Sequence, residues 1–163
     1  MKKFSVICAA ALALTAPGIA QAASPDGTHT FSGTLEVRKS LPLWTSCTVT
    51  ADVSVTGGVP RLQSATVTGG GVCGGITFTG LPSGTLNTSG LPLVVVPATV
   101  GVNIAFPAGT CAGSLTVVWG SGSPRTITFV DGTSNIPSTS GGTTPCRIRG
   151  ALAQTSTPPL NLP

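Results

Sequence analysis

The stretch Cys47-Thr48-Val49-Thr50-Ala51-Asp52-Val53-Ser54-Val55-Thr56 decides the fold class. Its odd positions are apolar and its even positions polar, the period-two pattern of a strand buried on one face. Gly57-Gly58-Val59-Pro60 follows directly and marks a turn. Outward from this strand, further short runs of strand character fall at 30–37, 62–68, 75–80, 84–88, 92–96, 98–106, 114–119, 125–130 and 146–152. Gly69-Gly70-Gly71 and Gly120-Ser121-Gly122-Ser123-Pro124 punctuate them. Gly, Pro, Thr and Val all disfavour helix interiors, and no segment carries a convincing helical period. The predicted architecture is all-β, an antiparallel β-sandwich or flattened barrel of about nine short strands. Residues 132–145 read as a Gly/Ser/Thr/Pro loop, and the Pro-rich tail 155–163 reads as extended.

A shift of 51 positions lays residues 32–80 over 83–131 without a gap. Ser32-Gly33-Thr34-Leu35 meets Ser83-Gly84-Thr85-Leu86, and Ile76-Thr77-Phe78 meets Ile127-Thr128-Phe129. In all, 13 of 49 positions are identical, where a chain of this composition gives about four or five by chance. The cysteines do not follow the shift, so either an internal two-fold repeat arose before them or the match is a product of low sequence diversity.

The first residues read as an export signal. Lys2 and Lys3 precede the apolar run Val6–Ala16, Pro17-Gly18 breaks it, and Ala20-Gln21-Ala22 offers a small-x-small cleavage site. Cleavage after Ala22 leaves one β-domain over 23–154 and the tail 155–163. Cys8 sits too early in the apolar run to act as a lipid anchor. Residues 91–106 are apolar but interrupted by Pro92, Pro97, Gly101 and Asn103, and they fall short of the roughly 20 residues a helical span requires. The expected location is outside the cell, as a secreted protein.

Export gives the cysteines their meaning. Cys47, Cys73, Cys111 and Cys146 remain after cleavage, and an even count in an oxidising compartment predicts two disulfides with three connectivities. Cys47–Cys73 with Cys111–Cys146 is preferred because both loops are local. No C-x-x-C pair exists and His29 is the only histidine, so neither a metal nor a cofactor is expected.

Charged residues make up 7% of the chain, against about 25% in an ordinary soluble domain. After cleavage six cations (Arg38, Lys39, Arg61, Arg125, Arg147, Arg149) face four acids (Asp26, Glu36, Asp52, Asp131), a net charge of +2. No basic stripe exists for nucleic acid. The few acids read as solvated surface groups, Asp26 within a mobile N-terminus. His29 reads as exposed beside the mature terminus. No nucleophile elbow, phosphate loop or dinucleotide fingerprint is present, and an enzyme is not expected. Arg38-Lys39 and the pair Arg147/Arg149 read as solubilising surface charge, with contact to an anionic polymer as the alternative. The outer faces are built of Thr and Ser rather than ions, a surface tolerant of contact with other surfaces.

Leu41-Pro42-Leu43 before Cys47, Val72-Cys73, Gly109-Thr110-Cys111 and the closing Pro145-Cys146-Arg147-Ile148-Arg149-Gly150 resemble the bacterial "protein activator of alkane oxidation" family. The resemblance covers nearly all of the mature chain. It implies a secreted, non-catalytic accessory protein that helps cells use water-insoluble hydrocarbon, and it carries no catalytic residues. The expected partners are hydrophobic small molecules or cell-surface material, with self-association a second expectation. Apolar contact is assigned to Trp44, Leu91, Leu93, Val94 and Trp119, although both tryptophans also suit a core. The competing reading is a pilin-like fibre subunit whose N-terminal segment Ala23–Val37 adds to a neighbour's sheet.

Overall fold

A computed structural model describes residues 22–97, 101–105 and 108–163. The export signal, up to residue 21, and positions 98–100 and 106 of the strand expected over 98–106 lie outside the described residues. β1 (Gly27–Arg38), β2 (Thr45–Thr56) and β3 (Val59–Thr68) form an antiparallel meander. The alternation in β2 is realised as read: Cys47, Val49, Ala51, Val53 and Val55 are buried. Thr56 pairs with Val59 across Gly57-Gly58, whose φ values are +58° and +77°. Positive φ at both central positions gives the tight turn whose twist matches the flanking strands, and glycine adopts it without a Cβ penalty.

The β2–β3 register slips between Asp52 and Val53, which pair with Ser64 and Leu62 and leave Gln63 as an extra residue. This bulge matters because a one-residue offset turns every later side chain to the other face. Leu62 lies on even parity and Ala65 and Val67 on odd, yet all three pack against the core.

A 3-10 turn at Gly71–Gly75 leads into β4 (Ile76–Thr79). Then follow β5 (Asn87–Gly90), β6 (Leu93–Val96), β7 (Gly101–Ala105), β8 (Ala108–Ala112), β9 (Leu115–Gly120), β10 (Thr126–Phe129), β11 (Asn135–Ile136) and β12 (Cys146–Gln154). The large sheet runs β3-β2-β1-β12-β10-β9-β6-β5, with β11 also on β12, and the small sheet runs β4-β7-β8. The two ends of the large sheet are bridged: Ser83 N donates to Leu62 O at 2.8 Å, Leu86 N to Pro60 O at 2.9 Å, and Arg61 pairs with Thr85. The curled sheet is therefore nearer the flattened barrel than the open sandwich. β8 and β11 were not expected, since Ala-Gly-Thr-Cys-Ala and Asn-Ile carry no alternation to read. The stretches related by the 51-residue shift take different places: β2 lies in the large sheet and its counterpart β7 in the small one, whereas β4 and β10 reverse that arrangement.

Between β1 and β12 the strands come unusually close. A Cβ on Gly33 would lie 2.3 Å from Ala151 O, and one on Gly150 would lie 2.6 Å from Thr34 O. Beside this contact Phe31 and Trp119 meet edge to face, with ring centroids 5.9 Å apart, a geometry favoured by the ring quadrupoles.

Both disulfides join the small sheet to the large one. Cys47 on β2 bonds Cys73 in the 3-10 turn that feeds β4, with Cα atoms 5.6 Å apart. Cys111 on β8 bonds Cys146 at the start of β12, with Cα atoms 6.1 Å apart. Each of the small sheet's two edge strands is thus tied covalently.

The start of the described residues, expected to be mobile, is fixed, and the tail docks against it. Ser24 and Asn161 exchange backbone hydrogen bonds of 2.9 and 2.7 Å, and Leu160 is fully buried. The Gln154 side chain accepts from Leu160 N at 2.9 Å and donates to Pro158 O at 2.9 Å. Pro-rich composition conceals this because the docking comes from two leucines and one amide. Asp26 is likewise fixed rather than mobile: its carboxylate accepts from Gly57 N at 2.8 Å and Gly58 N at 3.0 Å.

Two outcomes follow. Replacing Cys47 and Cys73 together by Ala should cost about 3–4 kcal/mol of unfolding free energy, from the entropy of the loop they close; urea denaturation of the two oxidised proteins measures it. The amides of Gly58 and Gly57 hold the Asp26 carboxyl below the usual aspartate range. A carboxyl whose folded pKa is depressed contributes stability above its unfolded pKa, about 3.9, and loses it as pH falls through the folded value. Asp26→Asn should therefore melt below wild type at pH 7, and the gap should narrow as melts are repeated from pH 4 downward.

Candidate hydrophobic contact site

Alternation around the curled sheet aims one side chain in two at the interior. What those side chains leave unfilled is a cavity of ≈ 80 Å³. Val49, Ala51, Val94, Val117, Trp119 and Ile148 are among its lining. Two arginines also border it, with their guanidiniums engaged by other groups. The Arg38 guanidinium lies 4.5 Å from the centre of the Trp44 ring, and Arg147 pairs with Asp131 at 2.6 Å.

One end of the barrel carries the most exposed apolar side chain of the described residues. The loop after β1 presents Leu41, 44% exposed, and Leu43, 75% exposed. A groove of ≈ 40 Å³ runs beneath them and shares Val37, Arg38, Ile76 and Ile104 with the interior cavity. Trp44 on the outer side of the loop meets two cations: Arg149 sits 4.3 Å from its ring centre, as Arg38 does at 4.5 Å, and Arg149 also pairs with Glu36 at 2.6 Å. Such stacking holds a cation over the negative face of the indole. Trp44 is consequently half-buried, fixed in a charged stack rather than in the core.

Lys39 corrects the surface-charge reading. It is 2% exposed, and its ammonium donates to Ser138 Oγ at 2.5 Å and Thr144 O at 3.1 Å. It continues the inward parity of Leu35 and Val37, so it lands beneath the 137–145 loop and pins it. Burial holds its ammonium below the ordinary lysine range. With Arg38, Arg147 and Arg149 committed to Trp44 and to carboxylates, the basic residues expected at the surface here serve internal contacts.

Leu91 and Leu93 flank the β5–β6 turn, 36% and 45% exposed. The strand registers put this turn at the opposite end of the barrel from Leu41 and Leu43. Val94 and Trp119 are 2% and 8% exposed and face the cavity. Of the five residues expected at an apolar contact surface, Leu91 and Leu93 are the ones exposed; Leu41 and Leu43, not expected there, are exposed as well, as are Val59 and Val130. The exposure of Leu41 and Leu43 was legible only as two leucines around a proline in an otherwise polar connection.

The remaining polar groups are structural in their placement. Asp52 accepts from Thr30 Oγ1 and Ser64 Oγ, each at 2.8 Å. His29, expected at the surface, is 2% exposed, and its Nε2 donates to Pro25 O at 2.9 Å. It shares odd parity with Phe31 and Leu35, and extending their alternation by one step would have placed it inside. Ser134, fully buried, accepts from Val130 N at 3.0 Å and donates to Thr116 O at 2.7 Å, fastening the 132–145 loop to β9. Among the described residues no group of three or more His, Cys, Asp or Glu is placed to hold a metal ion.

The segment offered as a donor strand is engaged at home: β1 pairs with β2 along one edge and β12 along the other. Among the described residues no helix is long and apolar enough to cross a membrane. No curated protein and no solved structure matches the chain. A family model described as "Alkane oxidation protein activator PraA/PraB-like" matches residues 1–161. With nearly the whole sequence covered, the chain belongs to the PraA/PraB-like family of alkane oxidation protein activators.

Proposed function

We propose that this protein is a secreted, non-catalytic accessory factor in alkane oxidation, acting by surface contact with hydrophobic material. The observation that carries the reading is the pair of exposed leucine tips at the two ends of a disulfide-bonded barrel. Leu41 and Leu43 stand at one end, Leu91 and Leu93 at the other. Apolar surface transferred from water to oil gains about 25 cal/mol per Å². Two such tips let one molecule adsorb to a droplet and still present apolar surface to a second body, a droplet or a cell. The weakly charged Thr/Ser walls between them impose little repulsion. Two disulfides suit an oxidising, extracellular or periplasmic environment. The family description, an activator of alkane oxidation, supports an accessory role.

The fibre reading now rests on exposed strand edges, β5 and the Ser64–Thr68 part of β3, rather than on release of β1. Size-exclusion chromatography with electron microscopy separates the two: filaments would favour the fibre. A monomer or small oligomer that lowers hexadecane–water interfacial tension supports the accessory reading. The variant Leu41→Ser/Leu43→Ser/Leu91→Ser/Leu93→Ser should fold with an unchanged circular dichroism spectrum and adsorb at least several-fold more weakly. Equal adsorption by that variant would remove the leucine tips from the account.

A further inference from the structure

We propose that the interior of the curled sheet is a binding site for one unbranched aliphatic chain, reached through the groove under Leu41 and Leu43. It rests on the reading above for the class of ligand, hydrocarbon, and adds an internal mode of binding to contact at the surface.

The first ground is the chemistry of the lining. The described side chains bordering the cavity are aliphatic or aromatic apart from the disulfide-bonded Cys146 and from Arg38 and Arg147, whose guanidiniums are engaged by Trp44 and Asp131, with the Arg147 Nε buried and unpartnered. Water needs two to four polar partners to occupy a cavity, and an apolar cavity stays dry and takes an apolar guest. Apart from the one Arg147 Nε, this lining has no free polar group for a carboxylate, a hydroxyl or a sugar, and the guest that suits it is a hydrocarbon segment.

The second ground is size. Protein interiors are ordinarily packed without such voids. Here short side chains such as Val49, Ala51, Ala65 and Val67 line one wall, with Val94 and Val117 also in the lining. They leave ≈ 80 Å³, room for about half a dozen heavy atoms when a water position takes roughly 10–15 Å³. Barrels of eight strands have interiors just wide enough to be filled by side chains or to hold one small ligand. A six-carbon chain fits, and a longer chain would leave its remainder in the groove.

The third ground is access. The groove and the cavity share Val37, Arg38, Ile76 and Ile104, and the groove opens beneath the most exposed leucine of the protein's described residues. The shared side chains, among them Val37, Ile76 and Ile104, stand between the groove and the cavity, so their rotation would join the Leu43 tip to the interior; Lys39 and Thr45 also line the groove.

Trp119 makes the proposal measurable. Trp44→Phe leaves it as the sole tryptophan, and the disulfide-bonded protein is titrated with n-hexane below its aqueous solubility. Expected is a saturable change in Trp119 emission, with methyl NMR shifts confined to the lining valines and leucines and one hexane bound per chain. Val117→Phe, which fills the cavity, should weaken binding at least tenfold while leaving adsorption to hexadecane intact. If that variant misfolds from overpacking, the smaller filling Ala51→Val or Ala65→Val gives the same readout. Leu43→Ser should slow binding without changing its saturation.

A linear, non-saturating response, or shifts spread over the outer leucines, would overturn the interior site and leave surface contact standing. Saturable hexane binding by a protein that does not adsorb at the oil interface would do the reverse.

Discussion

Two covalent bonds between sheets hold this molecule in its shape. The small sheet has strands of four, five and five residues, too short to be stable without packing against another layer. Its edge strands are β4, which follows directly from the turn holding Cys73, and β8, which holds Cys111. Cys47 and Cys146 lie at the same end of the large sheet, on β2 and β12, which flank β1. The cross-links therefore fix a three-stranded flap at that end, beside the Leu41–Leu43 loop and the groove beneath it. Remove that constraint and the small sheet is held to the rest by the hydrogen bonds of β8 to the 137–140 loop and by the burial of Val102 and Ile104 on β7.

How much of this could be read from sequence depended on parity. In β2 polar and apolar residues alternate without a fault, and the strand, its buried face and the glycine turn after it were all legible. In β3 the bulge at Gln63 breaks the parity, and the pattern shows a strand without showing which side chains go in. In β1 the alternation was read from Thr30 to Val37; carried outward at both ends, it places His29 and Lys39 inside, against the habits of those residue types. Composition won where geometry should have. β8 could not be read at all, because Ala-Gly-Thr-Cys-Ala owes its conformation to its pairing with β7 and to the bond from Cys111 to Cys146. The tail behaved similarly: nothing in a Pro-rich run announces that Leu160 will be fully buried. The disulfide pairing, by contrast, came out as locality suggested.

The shortage of charge has a structural explanation that also bears on function. The cations do local work. Lys39 pins a loop, Arg38 and Arg149 clamp Trp44, Arg147 meets Asp131, and the Arg125 Nε donates to Leu160 O at 2.9 Å. Glu36, Asp131, Asp52 and Asp26 are engaged in the same way. Few ions are left to keep the surface hydrated and self-repelling, and the leucine tips stand out against neutral hydroxyl-bearing walls.

The central claim, that the protein assists alkane oxidation through physical contact with insoluble hydrocarbon, is tested most directly by oxygen uptake. Purified protein is added to alkane-oxidising cells that lack it, supplied either with emulsified hexadecane or with a water-soluble primary alcohol at equal carbon. The account predicts faster uptake on the emulsion and no change on the alcohol. Equal stimulation on both, or none on the emulsion, would contradict it.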